Sequence, residues 1–428
     1  MVAFGLDFGT TNSAIAVADD AGVRLAQFGA AGSRTFRSVL FFDPDERGPG
    51  GRPLSAAGPE AIERYLAADG HGRLILSTKS HLASRSFRAT QIFTAVYTLE
   101  QLIGLIAAAL RAGGEAQLGG RADRLVVGRP VRFAGADTPE DDAAAVARLE
   151  KALGLAGFDP ATLVFEHEPV AAAYHYESRL TSDQLVLIAD FGGGTSDFSL
   201  LRIGPEARRR GARDILGVEG VALAGDAFDG RILRHLVAPV LGRGDGYVID
   251  GKELPVPPWL FSHLERWHHL TFLKTRENLA LLERIHDGAE GAARERIGAF
   301  RHVVEDDLGY ELYRAVERAK VELSTQATAR FRFADPAIDR TLTRDDFEGW
   351  IRPELEAIER CVDRLLTATS VEPAQIDRVF MTGGSSFVPA VRRIFAARFG
   401  AGKLHGGDEL VSIASGLALR ARDLTLRG

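Results

Sequence analysis

A chain of 428 residues, 46% hydrophobic and 26% charged, is long enough for two or more packed cores, and its single cysteine, Cys361, excludes a disulfide framework and a cysteine-rich metal site. With 52 Lys and Arg against 58 Asp and Glu, the net charge of -6 gives no overall attraction to nucleic acid or to an anionic membrane. No uncharged run reaches the length of a membrane span, and the opening MVAFGLDFGTT lacks the basic start of a signal peptide, so a cytoplasmic protein is expected.

Taken in chain order, the apolar stretch ending at Asp7, a Gly–Thr turn and a second apolar stretch predict a β-hairpin. Helices are predicted near Leu99–Arg111 and Pro139–Leu153, with the strand RLVVGRPV from Arg124 between them. IADFGGGTSDFSL, Ile188 to Leu200, then repeats the opening: Asp190 aligns with Asp7, Phe191 with Phe8, Gly192 with Gly9 and Ser196 with Ser13. The basic run RRRGAR from Arg208 is expected at a hairpin tip after Gly204, solvated or facing an acidic partner.

Gly225 and Asp226 open a helix. The stretch PPWLFSHLERWHHLTFLKTRENLALLERIH from Pro257 has helical periodicity and carries Trp259, Phe261, Trp267 and Phe272. A helical pair buried on its own lobe is the favoured reading, a partner-binding surface the alternative. His263, His268 and His269 lack the spacing of a metal site. Further on, Glu317, Lys320 and Ser324 share one helix face. FMTGGSSFVPAVRRIF follows from Phe380, and a last helix near Leu410–Arg422 is expected to pack toward the first lobe.

Neither glycine turn is followed by the Lys of a Walker loop or by the helix of a dinucleotide fingerprint. What both offer is a bend whose N–H groups can converge on an anion, with an Asp at the end of the preceding strand as a hard oxygen for a hydrated Mg²⁺. Two such hairpins facing each other would hold a nucleoside triphosphate from both sides.

FGLDFGTTNSAIAV, IADFGGGTSDFSL and FMTGGSSFVPAVRRIF resemble the phosphate-1, phosphate-2 and adenosine motifs of the actin, sugar kinase and heat shock protein 70 superfamily. FEHEPVAAAYHY from Phe165, AGDAFDGRIL from Ala224 and VERAKVELSTQ from Val316 are similar to the DnaK-type chaperones in particular. The resemblance implies an α/β fold of the two-lobed actin-like ATPase type, a duplicated ribonuclease H-like architecture. Lobes are expected at 1–180 and 181–428, the second enlarged by the 242–305 insertion. No peptide-binding domain is expected after the last helix, as in the YegD group of chaperone-like proteins.

Carried over residue by residue, the resemblance implies that Asp7 and Asp190 orient magnesium, while Gly9, Thr10, Thr11, Asn12, Gly192, Gly193, Gly194 and Thr195 hold the phosphates of ATP or ADP. Lys79, Glu168, Asp190 and Thr195 would orient the attacking water, with Glu168 and Pro169 in a segment that relays nucleotide state between lobes. Gly225, Asp226, Glu317, Lys320, Ser324, Gly383, Gly384, Ser385 and Phe387 would receive the nucleoside. Val321 and Phe387 stand where the family commonly has arginines on the two faces of the base, which puts base preference in doubt. The implied protein is a slowly hydrolysing nucleotide switch with a client or co-chaperone as partner. A sugar-type kinase and an actin-like filament protein are the alternatives.

Overall fold

Apolar residues up to Asp7 form strand β1 (Ala3–Asp7), which turns back into β2 (Asn12–Asp19). A computed structural model describes residues 2–68, 71–177, 180–209, 214–266, 273–306, 308–406 and 412–427. They fall into two compact units, Met1–Ala224 with Ala357–Phe387 and Val391–Gly428, and Gly225–Glu356 with Val388–Ala390.

The first unit holds two main sheets, whose strands are numbered together. β3 (Gly22–Leu25), β4 (Arg124–Arg129) and β5 (Leu163–His167) complete a sheet of order β5-β4-β1-β2-β3, with Phe36–Arg37 paired to β2 off this path. β1, β2 and β3 are antiparallel to one another in succession, whereas β4 runs parallel to β1 and β5 parallel to β4. The second sheet has order β8-β7-β6-β9-β10, from β6 (Gln184–Phe191), β7 (Ser196–Ile203), β8 (Asp214–Val221), β9 (Arg378–Thr382) and β10 (Leu404–His405). Its pairing repeats the first: three successive antiparallel strands, then two parallel ones. The repeat seen in the sequence is therefore a repeat of topology.

Helix α1 (Leu99–Leu118) starts at a Thr98–Gln101 capping box, and α2 (Pro139–Leu155) at a Thr138–Asp141 box followed by proline. α1 continues two turns beyond the predicted Arg111 because Gly113 and Gly114 are helix interior rather than a stop. A methyl placed on them would lie 2.7 Å from Phe28 and 2.9 Å from Ile15, so the sheet presses on these two positions. α1 and α2 bury Leu102, Ile103, Ile106, Leu149 and Leu153 with Phe4, Leu6, Ile15 and Val17 of the first sheet.

α3 (Glu168–Glu177) and α4 (Ser412–Arg427) form a core with residues of both sheets: Ala171, Ala172, Tyr176 and Leu417 pack with Val126, Val186, Ile188 and Phe380. The expected packing of the last helix on the first sheet is observed, with Ala414 and Ala418 against Ala14, Ala16 and Ala18. α3 and α4 cross backbone to backbone, since a methyl on Gly416 would stand 1.7 Å from the Ala171 carbonyl oxygen. Gly416→Ala is therefore expected to cost about 2 kcal/mol through forced separation of the helices. Urea denaturation checks this, and an unchanged midpoint would refute it.

In the second unit, helices Gly225–Ile232, Pro258–Glu265, Arg276–Gly288, Gly291–Glu305 and Gly309–Thr325 accompany two hairpins, Gly246–Ile249 with Lys252–Pro255 and Thr328–Phe333 with Ile338–Thr343. The first of these hairpins was not anticipated. Phe261 is fully buried and stacks on Phe300 at 4.9 Å, as expected of a buried helical pair, but Trp259 is 41% exposed. Trp267, His268, His269 and Phe272 lie outside the described residues. Of the basic run, Arg208 and Arg209 end a short helix, Pro205–Arg209, and residues 210–213 lie outside the described residues. Among the described residues no helix is long and apolar enough to cross a membrane.

Candidate functional site

The first bend is tight and satisfies its own polar groups. Gly9 N–H donates to Ser13 Oγ at 3.2 Å, Ser13 Oγ lies 2.8 Å from Ser38 Oγ, and Ser38 Oγ donates to the Gly9 carbonyl at 2.8 Å. A methyl on Gly9 would come within 2.0 Å of the Asn12 carbonyl oxygen, so only glycine closes this turn. Asn12 accepts a hydrogen bond from Arg37. In the second bend, between β6 and β7, Gly192 N–H donates to the Thr195 carbonyl at 2.9 Å. The two bends meet within the first unit: a methyl on Gly194 would lie 3.7 Å from Thr10 Oγ1 and 3.8 Å from Ser80 Oγ. Thr11 and Gly193 belong to the same two bends.

Beside the bends lies a buried charge cluster. Lys79, in a 3-10 turn Thr78–His81 entered through Ser77 at φ 54, donates to Glu168 Oε1 at 2.7 Å, and each of the two side chains is 8% exposed. Glu168 is the first residue of α3, so its carboxylate sits at a helix N-terminus. Asp7 and Asp190 occupy matching places at the ends of β1 and β6. Asp197 stands directly across the hairpin from Asp190, its Oδ1 accepting from Val131 N–H at 2.8 Å and its Oδ2 buried without a hydrogen bond.

Four carboxylates thus surround one ammonium. Burial first, then the charge of Glu168, pushes Asp7 and Asp197 up to about 7. Burial together with Glu168, Asp197 and Asp7 holds Asp190 well above the usual carboxylate range. Burial works against the Lys79 ammonium, but Glu168 and Asp7 more than offset it and raise its pKa. The cluster holds four carboxyl groups against one ammonium, and the three raised aspartates would ionise more readily beside a further cation.

These shifts set a sign for pH dependence. A carboxyl whose folded pKa lies above its unfolded value stabilises the fold at low pH and loses that contribution as pH rises through the folded value. The thermal midpoint of the nucleotide-free protein is therefore expected to fall as pH rises through about 7, and to fall less in the Asp7→Asn/Asp197→Asn variant. Scanning fluorimetry at several pH values checks this; equal slopes for the two proteins would count against it.

The remaining predicted residues lie in two places. In the first unit, Gly383 (φ 81) and the turn Gly384–Phe387 follow β9, and a methyl on Gly383 would lie 2.1 Å from the Phe191 carbonyl, so this motif backs directly onto the second bend. Ser385 is buried and Phe387 is 44% exposed. In the second unit, Gly225 and Asp226 begin a helix as expected, and burial followed by Asp229 raises Asp226 to about 6. Lys320 does not form the surface pair with Glu317 that spacing alone suggests. Its Nζ is 2.7 Å from buried Asp229, while Glu317 is 3.9 Å from Arg314. A buried carboxylate without a cation is costly, and that decides the partner. Ser324 Oγ donates to the Lys320 carbonyl at 3.1 Å.

Asp197 and Ser80 were not among the expected site residues. The signal for Asp197 was present, since period two along β7 and the register of the hairpin place it opposite Asp190. For Ser80 no local signal exists.

A family model described as Hsp70 protein matches residues 3–244 and 304–425. The chain belongs to the Hsp70 family. Members of this family are ATPases with the two-lobed actin-like fold, and this Hsp70-family chain has that fold, its duplicated sheets included. Residues 245–303, which the match passes over, contain the Gly246–Pro255 hairpin, helices Pro258–Glu265 and Arg276–Gly288 and most of Gly291–Glu305. Among curated proteins, the chain is similar to the chaperone protein DnaK of Thermosipho africanus (strain TCF52B), 26% identical over 420 residues. It is also 26% identical over 422 residues to the chaperone protein DnaK of Thermosipho melanesiensis (strain DSM 12029 / CIP 104789 / BI429). Each alignment covers 97% of this chain and 58% of the relative, so the chain spans little more than half the length of these chaperones.

Proposed function

We propose that this Hsp70-family chain binds ATP with Mg²⁺, hydrolyses it slowly, and acts as a nucleotide-state switch read by a protein client or co-chaperone. The observation that carries the reading is the convergence of the two bends, with the Thr10 and Ser80 hydroxyls against Gly194, beside the Lys79–Glu168 pair. Lobes 1–180 and 181–428, with an insertion at 242–305, are part of the proposal.

The residues fit a hydrated magnesium ion. Asp7, Asp190 and Asp197 are buried acids whose pKa values are raised by burial and by one another, so a bound cation would favour their ionisation, and Asp197 Oδ2 is buried without a hydrogen-bond donor. In this reading Asp7 and Asp190 would contact the ion through its waters. Bound magnesium would neutralise phosphate charge in the transition state. Thr10, Thr11 and the N–H groups of residues 192–194 would bind phosphate oxygens, while Glu168 and Thr195 would accept hydrogen bonds from the attacking water. Lys79 would bring positive charge to the transferring group.

Val321, in the second unit, is 61% exposed, and Phe387, in the first, is 44% exposed; each is an apolar group that would suit contact with a base. Gly225, Asp226, Glu317, Lys320, Ser324, Gly384 and Ser385 complete the proposed nucleoside residues. Calorimetric titration with ATP and ADP, with and without magnesium, tests the reading. Magnesium-dependent binding of both is expected in the parent and not in Gly194→Val, whose side chain would fill the space between the bends. No heat with either nucleotide at millimolar concentration would refute it.

A further inference from the structure

Lys79 reaches the charge cluster from a segment with little regular structure of its own: one 3-10 turn, then residues 82–88 before the strand Ala89–Ile92. Local contacts within it are few. Leu82 N–H donates to the Lys79 carbonyl at 3.1 Å, Ser84 N–H to the His81 carbonyl at 3.0 Å, and the His81 ring stacks on Phe87 at 5.1 Å. A lysine side chain has four rotatable carbons, so the placement of its ammonium depends on how well its backbone is anchored.

That anchor comes from α2. Arg148 Nη1 points at three carbonyl oxygens of this segment, Ser84 at 3.0 Å, Leu82 at 3.2 Å and His81 at 3.4 Å, and Nη2 donates to a fourth, Phe87, at 2.9 Å. Its Nε donates to Glu100 Oε1 at 2.6 Å, from the first turn of α1. The Arg148 side chain is only 19% exposed, and Glu100 supplies the countercharge that makes its burial tolerable. A planar guanidinium can serve four carbonyls and a carboxylate from one position, whereas an ammonium with three donors cannot. A second link joins the same two elements: Arg85 Nε donates to Asp141 Oδ1 on α2 at 2.6 Å.

We propose that Arg148 is a positioning residue for ATP hydrolysis. By clamping residues 81–87 onto α2 it sets the backbone from which Lys79 reaches Glu168, and so fixes the ammonium where the transferring phosphoryl group would stand. The inference rests on the catalytic reading of Lys79 given above. Four of the segment's carbonyls are served by one side chain rather than by a sheet or helix, so the geometry of the lysine is tunable through a residue on α2.

Arg148→Lys is the informative variant, because it keeps a positive charge for Glu100 and loses the carbonyl clamp; Arg148→Ala serves as the harsher comparison. A displacement of about 1 Å at a reacting group costs on the order of 100-fold in rate. In folded Arg148→Lys, kcat for ATP hydrolysis should fall about 10- to 100-fold, while calorimetric affinities for ATP and ADP stay close to parental values. Amides of residues 80–87 should exchange faster with deuterium. In a Lys79→Ala background the same substitution should lower turnover no further, which general destabilisation would not predict. Parental kcat in Arg148→Lys, alongside slowed Lys79→Ala, would overturn this proposal alone. An equal fall in both backgrounds would also overturn it. Parental turnover in Lys79→Ala would instead remove the catalytic reading, and this proposal with it.

Discussion

Asp190→Asn is expected to lose about 100- to 1,000-fold in ATP turnover, the range seen when one preorganised electrostatic contact to a transition state is removed. The fold should survive, because asparagine has nearly the shape of the neutral acid that burial and three neighbouring carboxylates already favour at Asp190. Asparagine also removes the cost of ionising a buried acid beside three others, so the thermal midpoint of the nucleotide-free variant should equal or exceed that of the parent. Magnesium should stabilise the variant less than it stabilises the parent in the presence of nucleotide. Phosphate release and scanning fluorimetry on one preparation measure all three quantities. Parental turnover would show that Asp190 holds no essential charge.

Lys79→Ala is expected to lower kcat by about 100-fold with little change in nucleotide affinity. The ammonium lies 2.7 Å from Glu168, and both groups are almost fully buried. Deleting one member of such a pair leaves an uncompensated charge, a loss of about 3–5 kcal/mol in general. Here the loss of the ammonium leaves Glu168, Asp7, Asp190 and Asp197 without their internal cation, so the variant should need less magnesium for half-maximal occupancy of the site. Lys79→Arg restores charge but not shape, and should recover stability more than turnover. Single-turnover hydrolysis alongside calorimetry separates the steps. A large loss of affinity with unchanged kcat would assign Lys79 to binding rather than chemistry.

Several parts of this architecture were legible before any coordinates. The aligned Asp7 and Asp190 bends marked a duplication that the two sheets repeat strand for strand. The helix starts predicted at Leu99 and Pro139 are those observed, where Thr98 and Thr138 form capping boxes. Other parts were not. The helix predicted near Leu99–Arg111 runs on to Leu118, and its glycines at 113 and 114 are contact points for Phe28 and Ile15, which are remote in sequence. Lys79 sits in a serine-rich stretch that suggests a solvated residue, and its burial follows from Glu168, 89 positions away. Spacing offered Glu317 as a partner for Lys320, but the buried Asp229 takes it.

By itself the sequence determined the local shapes: which stretches are strands, where helices begin, and that two acid-tipped bends recur, all consequences of dihedral preference, capping and period within a few residues. The tertiary structure alone decided that Thr10 and Ser80 face Gly194, that Lys79 meets Glu168, and that Arg148 holds the segment carrying Lys79. These pairings depend on burial of charge between distant elements. No local rule encodes which buried group will neutralise which, because that is decided by the low-dielectric neighbourhood the fold creates.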